Sequence, residues 1–193
     1  RAPIDSFDTG AALRYPRQGQ FHPLAYLSGL TQATRRKGGR LFTQTHATPI
    51  EGGENAKVGT NHGPVVSCDV IVVATNTPVN DRVAIHTKQA PYVTYVIGVA
   101  IPKGSVTRAL YWDTLDPYHY IRLQSFKDRD VLIVVGEDHK TGQANECSDR
   151  FARLEQWTRE RFPQTGEIEF RWSGQVMEPV DYLAFIGRNP LDS

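Results

Sequence analysis

With 193 residues, the chain is long enough for one full domain or two small, incomplete ones. Hydrophobic residues make up 39% and aromatics 10%, which supports a real core and excludes a disordered composition. The 22 basic and 21 acidic side chains are dispersed, leaving a formal net charge of +1 and no basic arm or stripe, so nucleic acid is not an expected partner.

Residues 1–21 show no sustained period and read as irregular connection. The first clear element follows, because His22 can cap a helix, Pro23 suits its first position, and Leu24, Leu27 and Leu30 recur at helical spacing. Arg35, Arg36 and Lys37 crowd the last turn, where cations favour the helix dipole, and Gly38-Gly39 supplies a left-handed exit. Residues 40–50 are a strand-like mix. The glycines at 52 and 53 and the Asn61-His62-Gly63-Pro64 turn then frame a strand pair at 56–60 and 65–67. Asp69 opens Val70-Ile71-Val72-Val73-Ala74-Thr75, a continuous apolar run that suits a strand buried on both faces of a parallel sheet.

From Pro91 the pattern changes to successive strands with short connections, at 92–101, 109–112, 118–125 and 130–135, as in an antiparallel sheet. A second helix is expected over 148–162, capped by Ser148, with Phe151, Leu154, Trp157 and Phe162 as its buried stripe and Pro163 as its stop. Ile168, Phe170 and Trp172 alternate as one more strand. These elements predict an α+β fold: part of an α/β layer over residues 1–85, an antiparallel domain with a covering helix over 86–175, and a return segment over 176–193.

No apolar run reaches the roughly 18 residues of a membrane span. Cys68 and Cys147 are too few for a disulfide framework, and the expected location is reducing and cytoplasmic. Residue 1 is Arg, no signal segment precedes the first elements, and both ends read as cuts inside a longer protein.

Two candidate sites emerge. Tyr118, Tyr120 and Arg122 alternate with His119 and Ile121, so on a strand the three share one face. A guanidinium beside two phenols suits the clamping of an anionic group; the plainer reading is a half-exposed strand with a surface Arg and packed tyrosines. His119 points the other way but stays in the substrate-binding set. Glu137-Asp138-His139-Lys140 leaves a buried-looking strand and enters a Thr-Gly turn, either as a binding edge or as a solvated hairpin end. No second cluster has metal-ligand spacing, so no metal is expected.

Three segments, in order and spacing, resemble one family. They are Gly19-Gln20-Phe21-His22-Pro23 with its helix and Gly-Gly exit; Asp69-Val70-Ile71-Val72-Val73-Ala74-Thr75; and Trp172-Ser173-Gly174 followed by Glu178-Pro179, Asp181 and Phe185-Ile186-Gly187-Arg188. The chain is similar here to FAD-dependent oxidoreductases of the D-amino acid oxidase, glycine oxidase and sarcosine oxidase family. It departs from that family at Asn76, where the Ala-Thr-Gly strand has Gly, and at Val176, where carboxylate-oxidising relatives carry Arg. Asp113, Pro117-Tyr118-His119-Tyr120 with Arg122, and Gly136 through Gly142 resemble a branch often fused to a Rieske-type iron–sulfur domain. No paired Cys and His ligands for such a cluster occur in this chain, so the domain is expected beyond Ser193.

The resemblance implies an internal fragment of an enzyme that oxidises a small amine, amino acid or related hydroxy compound by hydride transfer to flavin. It implies FAD contacts at Ala47, Ala74, Thr75, Asn76, Gly187 and Arg188. The Gly-x-Gly-x-x-Gly turn that holds a dinucleotide pyrophosphate does not occur, so the fragment is expected to be inactive alone. Two alternatives stay open: a non-catalytic ligand-binding or interaction domain on the same scaffold, and a nicotinamide-dependent dehydrogenase.

Overall fold

Two compact units divide the chain in the computed structural model, which describes residues 1–76, 79, 87–143, 147–184, 186 and 187. One unit comprises Arg1–Gln18 with Ala90–Glu178, the other Gly19–Gln89 with Pro179–Ser193.

The first unit is built on strands β4 (Gln89–Ile101), β5 (Tyr111–Trp112), β6 (Tyr120–Ser125), β7 (Asp130–Lys140) and β8 (Ile168–Pro179), in the order β5-β6-β7-β4-β8. The β5–β6, β6–β7 and β4–β7 pairs are all antiparallel. Apolar residues alternate along these strands, so one face collects Tyr95, Ile97, Val99, Ile101, Ile121, Leu123, Leu132 and Val134. Helix α2 (Cys147–Arg161) lays Leu154 against that cluster, and Phe162 follows just beyond it. Phe151 and Trp157 pack at its margin. The expected stripe is therefore the one that packs, although the helix starts at Cys147, one residue before the expected cap.

The first eighteen residues do not group with the helix that follows them in sequence. Ala2 and Ile4 pack against the core of the first unit, where the Tyr111 hydroxyl donates to the Thr107 carbonyl at 2.5 Å and lies 3.5 Å from the Pro3 carbonyl oxygen. The Arg161 guanidinium covers the Phe7 ring at 4.5 Å, and Ser6 donates to the Arg161 carbonyl. Without a period of its own, this segment is held by long-range contacts that composition does not reveal.

The second unit carries helix α1 (Pro23–Arg36) and a three-stranded antiparallel sheet, β1 (Ala47–Glu51), β2 (Lys57–Thr60) and β3 (Val65–Ser67). His22 caps α1, its Nδ1 accepting from the Ala25 N–H at 3.3 Å, and Gly38 exits at φ +84°. Gly59 is required in β2, because a Cβ there would stand 2.8 Å from Pro49 and from the Thr48 carbonyl oxygen.

The run from Val70 to Thr75 corrects the sequence reading. It forms no strand, and Val70 and Val72 are 75% and 83% exposed. A parallel strand takes all its ladder hydrogen bonds from neighbouring strands, and no strand among the described residues pairs with this one. Its apolar sequence is that of a strand with both faces covered, but the layers that would cover it are not among the described residues. Helix α1 has the same character: none of its residues is buried, and Leu24, Tyr26, Leu27 and Leu30 are exposed.

Candidate functional site

The face of the β5-β6-β7-β4 sheet turned away from α2 gathers most of the sequence-predicted substrate residues. In β6, Ile121 and Leu123 enter the core, which sends Tyr120 and Arg122 to this opposite face. Trp112 pairs with Tyr120 across β5 and β6. The rings of Trp112, Tyr118 and Tyr120 form one cluster, with centroids 5.1 Å apart for Trp112–Tyr118, 5.4 Å for Trp112–Tyr120 and 6.3 Å for Tyr118–Tyr120. Such spacings are those of favourable aromatic contacts. Arg122 is half-buried beside them and forms no ion pair with a carboxylate among the described residues. Its charge reaches the Tyr120 phenol and favours the phenolate.

His119 lies on the other side. It is buried, stacks on Trp157 of α2 at 4.2 Å, and directs Nδ1 to Asp113 Oδ2 at 2.9 Å. Asp113 Oδ1 also accepts the His119 backbone N–H at 2.7 Å, so one carboxylate ties both ends of the β5–β6 connection. His119 Nε2 faces Glu137 Oε1 at 3.5 Å, and Glu137 Oε2 accepts from Arg153 Nε at 2.8 Å. Gly136 makes room for this ring, since a Cβ there would stand 2.5 Å from His119 Cδ2. The structure thus brings Tyr118, Tyr120 and Arg122 together and separates His119 from them into a structural network.

Asp138 joins the site although the sequence singled out only its tetrad. The β4–β7 ladder shifts register between Val93 and Tyr95, where Glu137 adopts φ +57°. Such a bulge places two successive residues of one strand against one of the other and re-aims the side chains that follow. Gly136 and Glu137 both serve the α2 side, His139 stacks on Tyr95 of the core, and Asp138 turns to the aromatic face. Burial raises the Asp138 carboxyl above its usual range, partly opposed by Thr94, Tyr118 and the charges of His119 and His139. Burial raises the Tyr118 phenol too, followed by the charges of Asp138 and Glu178. Tyr120 is raised by burial and then by Asp138, against the lowering effect of Arg122. A cationic and an anionic side chain therefore flank the same phenol.

The sequence from residue 1 to 192 matches the family described as "DAO: FAD dependent oxidoreductase". The chain belongs to this family. A Bacillus subtilis (strain 168) relative described as "Putative Rieske 2Fe-2S iron-sulfur protein YhfW" is 28% identical over 177 residues, 91% of this chain and 34% of that protein. Glycine oxidase from Geobacillus kaustophilus shares the fold, with a TM-score of 0.66 and 17% identity over 86% of this chain and 45% of that one. The chain thus spans about a third of the curated relative and less than half of the solved oxidase.

Membership of this family of FAD-dependent oxidoreductases directs attention to the second unit for cofactor contacts. Ala47 opens β1 opposite Thr60; Ala74, Thr75 and Asn76 are exposed, with Asn76 at φ +63°. Gly187 holds φ +150°, a conformation that favours glycine, and the place a Cβ would take has nothing within 4 Å. Ala47, Ala74 and Gly187 carry little or no side chain, which leaves their backbone open to close approach. Arg188 lies outside the described residues. No group of three or more His, Cys, Asp or Glu among the described residues could hold a metal ion. No helix among them is long and apolar enough to cross a membrane.

Proposed function

We propose that this chain supplies the substrate-side wall of a flavin site that oxidises a small amine, amino acid or related hydroxy compound. The observation that carries the reading is Arg122: a half-buried guanidinium without an ion-pair partner among the described residues, on one face with Trp112, Tyr118 and Tyr120. A planar five-donor fork in that setting suits a carboxylate, which it can bind through two parallel hydrogen bonds. The rings of Trp112, Tyr118 and Tyr120 offer apolar surface to the rest of the ligand and limit its orientation. Bound FAD would accept the hydride equivalent from the substrate carbon. Arg122, Tyr118 and Tyr120 hold the substrate so that this carbon is presented in one pose.

Ala47, Ala74, Thr75, Asn76, Gly187 and Arg188 are the proposed cofactor contacts, and His119 is a support for the β5–β6 connection. The pyrophosphate cradle and, following the printed name of the B. subtilis relative, a Rieske domain would be encoded outside these 193 residues. On that reading the 193 residues alone do not turn over, and the protein acts in a reducing, cytoplasmic setting.

The test is anaerobic bleaching of the yellow full-length protein across a panel of amines, amino acids and hydroxy acids. At least one class should bleach the flavin. Arg122→Ala should lower kcat/KM by roughly 10- to 150-fold, the loss expected for a hydrogen bond to a charged group. Unchanged kcat/KM in that variant would remove Arg122 from the site, and a colourless full-length protein would remove the flavin reading.

A further inference from the structure

The aromatic rings of the candidate substrate face grow from one tied neck in the chain. The Asp113 N–H donates to the His119 carbonyl at 3.0 Å, and Asp113 Oδ1 accepts the His119 N–H at 2.7 Å. Trp112 directly precedes Asp113, and Tyr118 and Tyr120 stand on either side of His119. A displacement of the neck therefore moves all three rings. The neck is held from the opposite side of the sheet, where the His119 and Trp157 rings stack with centroids 4.2 Å apart and planes 15° apart. The Arg161 guanidinium, one helical turn beyond Trp157, lies 4.3 Å from the Trp157 ring centroid and 4.5 Å from that of Phe7. Ser6 fixes the same place, donating at 2.6 Å to the Arg161 carbonyl, one of those that the end of α2 leaves without a helical partner. Trp157 Nε1 is buried and has no hydrogen-bond partner among the described residues. The indole is thus oriented by what lies against its faces.

We propose that Phe7, Arg161 and Trp157 are positioning residues that set the Trp112–Tyr118–Tyr120 cluster through His119, with the segment around Phe7 as a strap. Its bearing on turnover rests on the reading of that face as a substrate wall; the placement of the rings does not. Phe7, Arg161, Trp157 and His119 form one continuous run of contacts, all within the first unit. A guanidinium between two rings is attracted to both, whereas an aliphatic side chain at position 7 would fill space without attracting the charge. Arg161 would then press less firmly on Trp157, although its Nη1 still donates to the Trp157 carbonyl at 3.1 Å. The indole, lacking a polar anchor, would tilt, and the neck would follow it. The polar contacts of His119 with Asp113 and Glu137 fix the ring within the sheet, and the stack fixes it against α2.

The experiment is fluorine NMR of the full-length protein carrying fluorotyrosine, with the Tyr118 and Tyr120 signals assigned through Tyr118→Phe and Tyr120→Phe. Both rings lie beside Trp112, so their signals report its ring current. Phe7→Leu should shift both signals. Phe7→Tyr keeps the ring and should restore them, adding only a signal of its own. Arg161→Met, which removes the charge between the rings, should shift them in the same sense. Ile101→Val is the control: it removes a core methyl at the far end of β4, opposite Asp130, and should leave both signals in place while lowering stability. Kinetics with the panel compound that bleaches the flavin fastest complete the test. At the 36% exposure of Phe7, Phe7→Leu should raise KM roughly two- to fivefold and change kcat less, the weight of a partly exposed cation–π contact. Signals unmoved in both Phe7→Leu and Arg161→Met, or moved as far in Ile101→Val, overturn the proposal. Shifted signals with an unchanged KM support the positioning of the rings and count against the substrate wall. An Arg122→Ala variant of full activity also counts against the wall alone, because the fluorine signals need neither flavin nor substrate.

Discussion

The two units of this chain use similar local signals and reach opposite outcomes. In Ala90–Glu178 the apolar alternation of β4, β6 and β7 meets the stripe of α2, and Ile97, Leu132, Val134 and Leu154 become fully buried. In Gly19–Gln89 the signals are as clear, with a capped helix and a run of valines, yet α1 buries none of its residues and Val72 is 83% exposed. Local rules form elements; stability requires a second surface to pack against. The first unit contains its own second surface. In the second unit Leu24, Leu27 and Leu30 of α1 and Val70 and Val72 stay exposed among the described residues.

The largest expected effect breaks or sustains this contrast directly. Leu154→Ala removes a fully buried side chain and should cost about 2–5 kcal/mol of unfolding free energy. Leu27→Ala, at an exposed position of α1, should change stability by less than about 0.5 kcal/mol in the 193-residue chain. Urea denaturation followed by tryptophan fluorescence reads the first, because Trp157 packs on the same core. A similar cost at both positions would show that α1 is packed after all. Repeating Leu27→Ala in the full-length protein sharpens the comparison, since a cost that rises toward that of Leu154→Ala would reveal the missing surface.

A somewhat smaller effect tests the glycine that admits His119 to the first unit. In Gly136→Ala the new methyl would meet the imidazole ring at 2.5 Å and the Tyr118 carbonyl oxygen at 2.9 Å. Overpacking of this kind costs about 1–3 kcal/mol. It should also loosen the Asp113–His119 contact that ties the β5–β6 connection, so the His119 proton signals in NMR should shift with the loss of stability. A thermally unchanged variant would mean that the strand yields there.

How much was legible follows from which interactions are local. The helices at Pro23–Arg36 and Cys147–Arg161 were readable because apolar spacing and, in the first, the His22 cap and the charged last turn are written in neighbouring residues. The placement of Tyr120 and Arg122 on one face followed from alternation alone. The Val70–Thr75 segment was misread because a valine run specifies a strand only where neighbouring strands exist. Asp138 escaped because a one-residue bulge inverts the sides that alternation assigns, and only the ladder between β4 and β7 shows that Glu137 and Gly136 share a side. Trp112 escaped because β5 is two residues long and its value lies in the partner strand.

Two carboxylates on the same strand have opposite displacements, and their pH dependence should differ in sign. Asp130 accepts the Gly104 N–H at 2.9 Å, and that bond, aided by Lys103 and Arg108, lowers its carboxyl below the ordinary range against the opposing effect of burial. A depressed folded value means stability that is present above the unfolded-state pKa and lost as pH falls through the folded one. Asp130→Ala should therefore cost about 1.5–3 kcal/mol near neutrality and progressively less on acidification. Asp138 is raised, chiefly by burial, so its protonated form is favoured in the fold. Its contribution is present below the unfolded-state pKa and lost as pH rises through the raised folded value. Asp138→Asn should then leave stability unchanged in acid and increase it slightly at neutral pH, where burial opposes the charged carboxylate. Denaturation midpoints from pH 3 to pH 8 check both curves. A loss of stability in Asp138→Asn at neutral pH would mean that the support of Thr94 and Tyr118 for the carboxylate outweighs the cost of its burial.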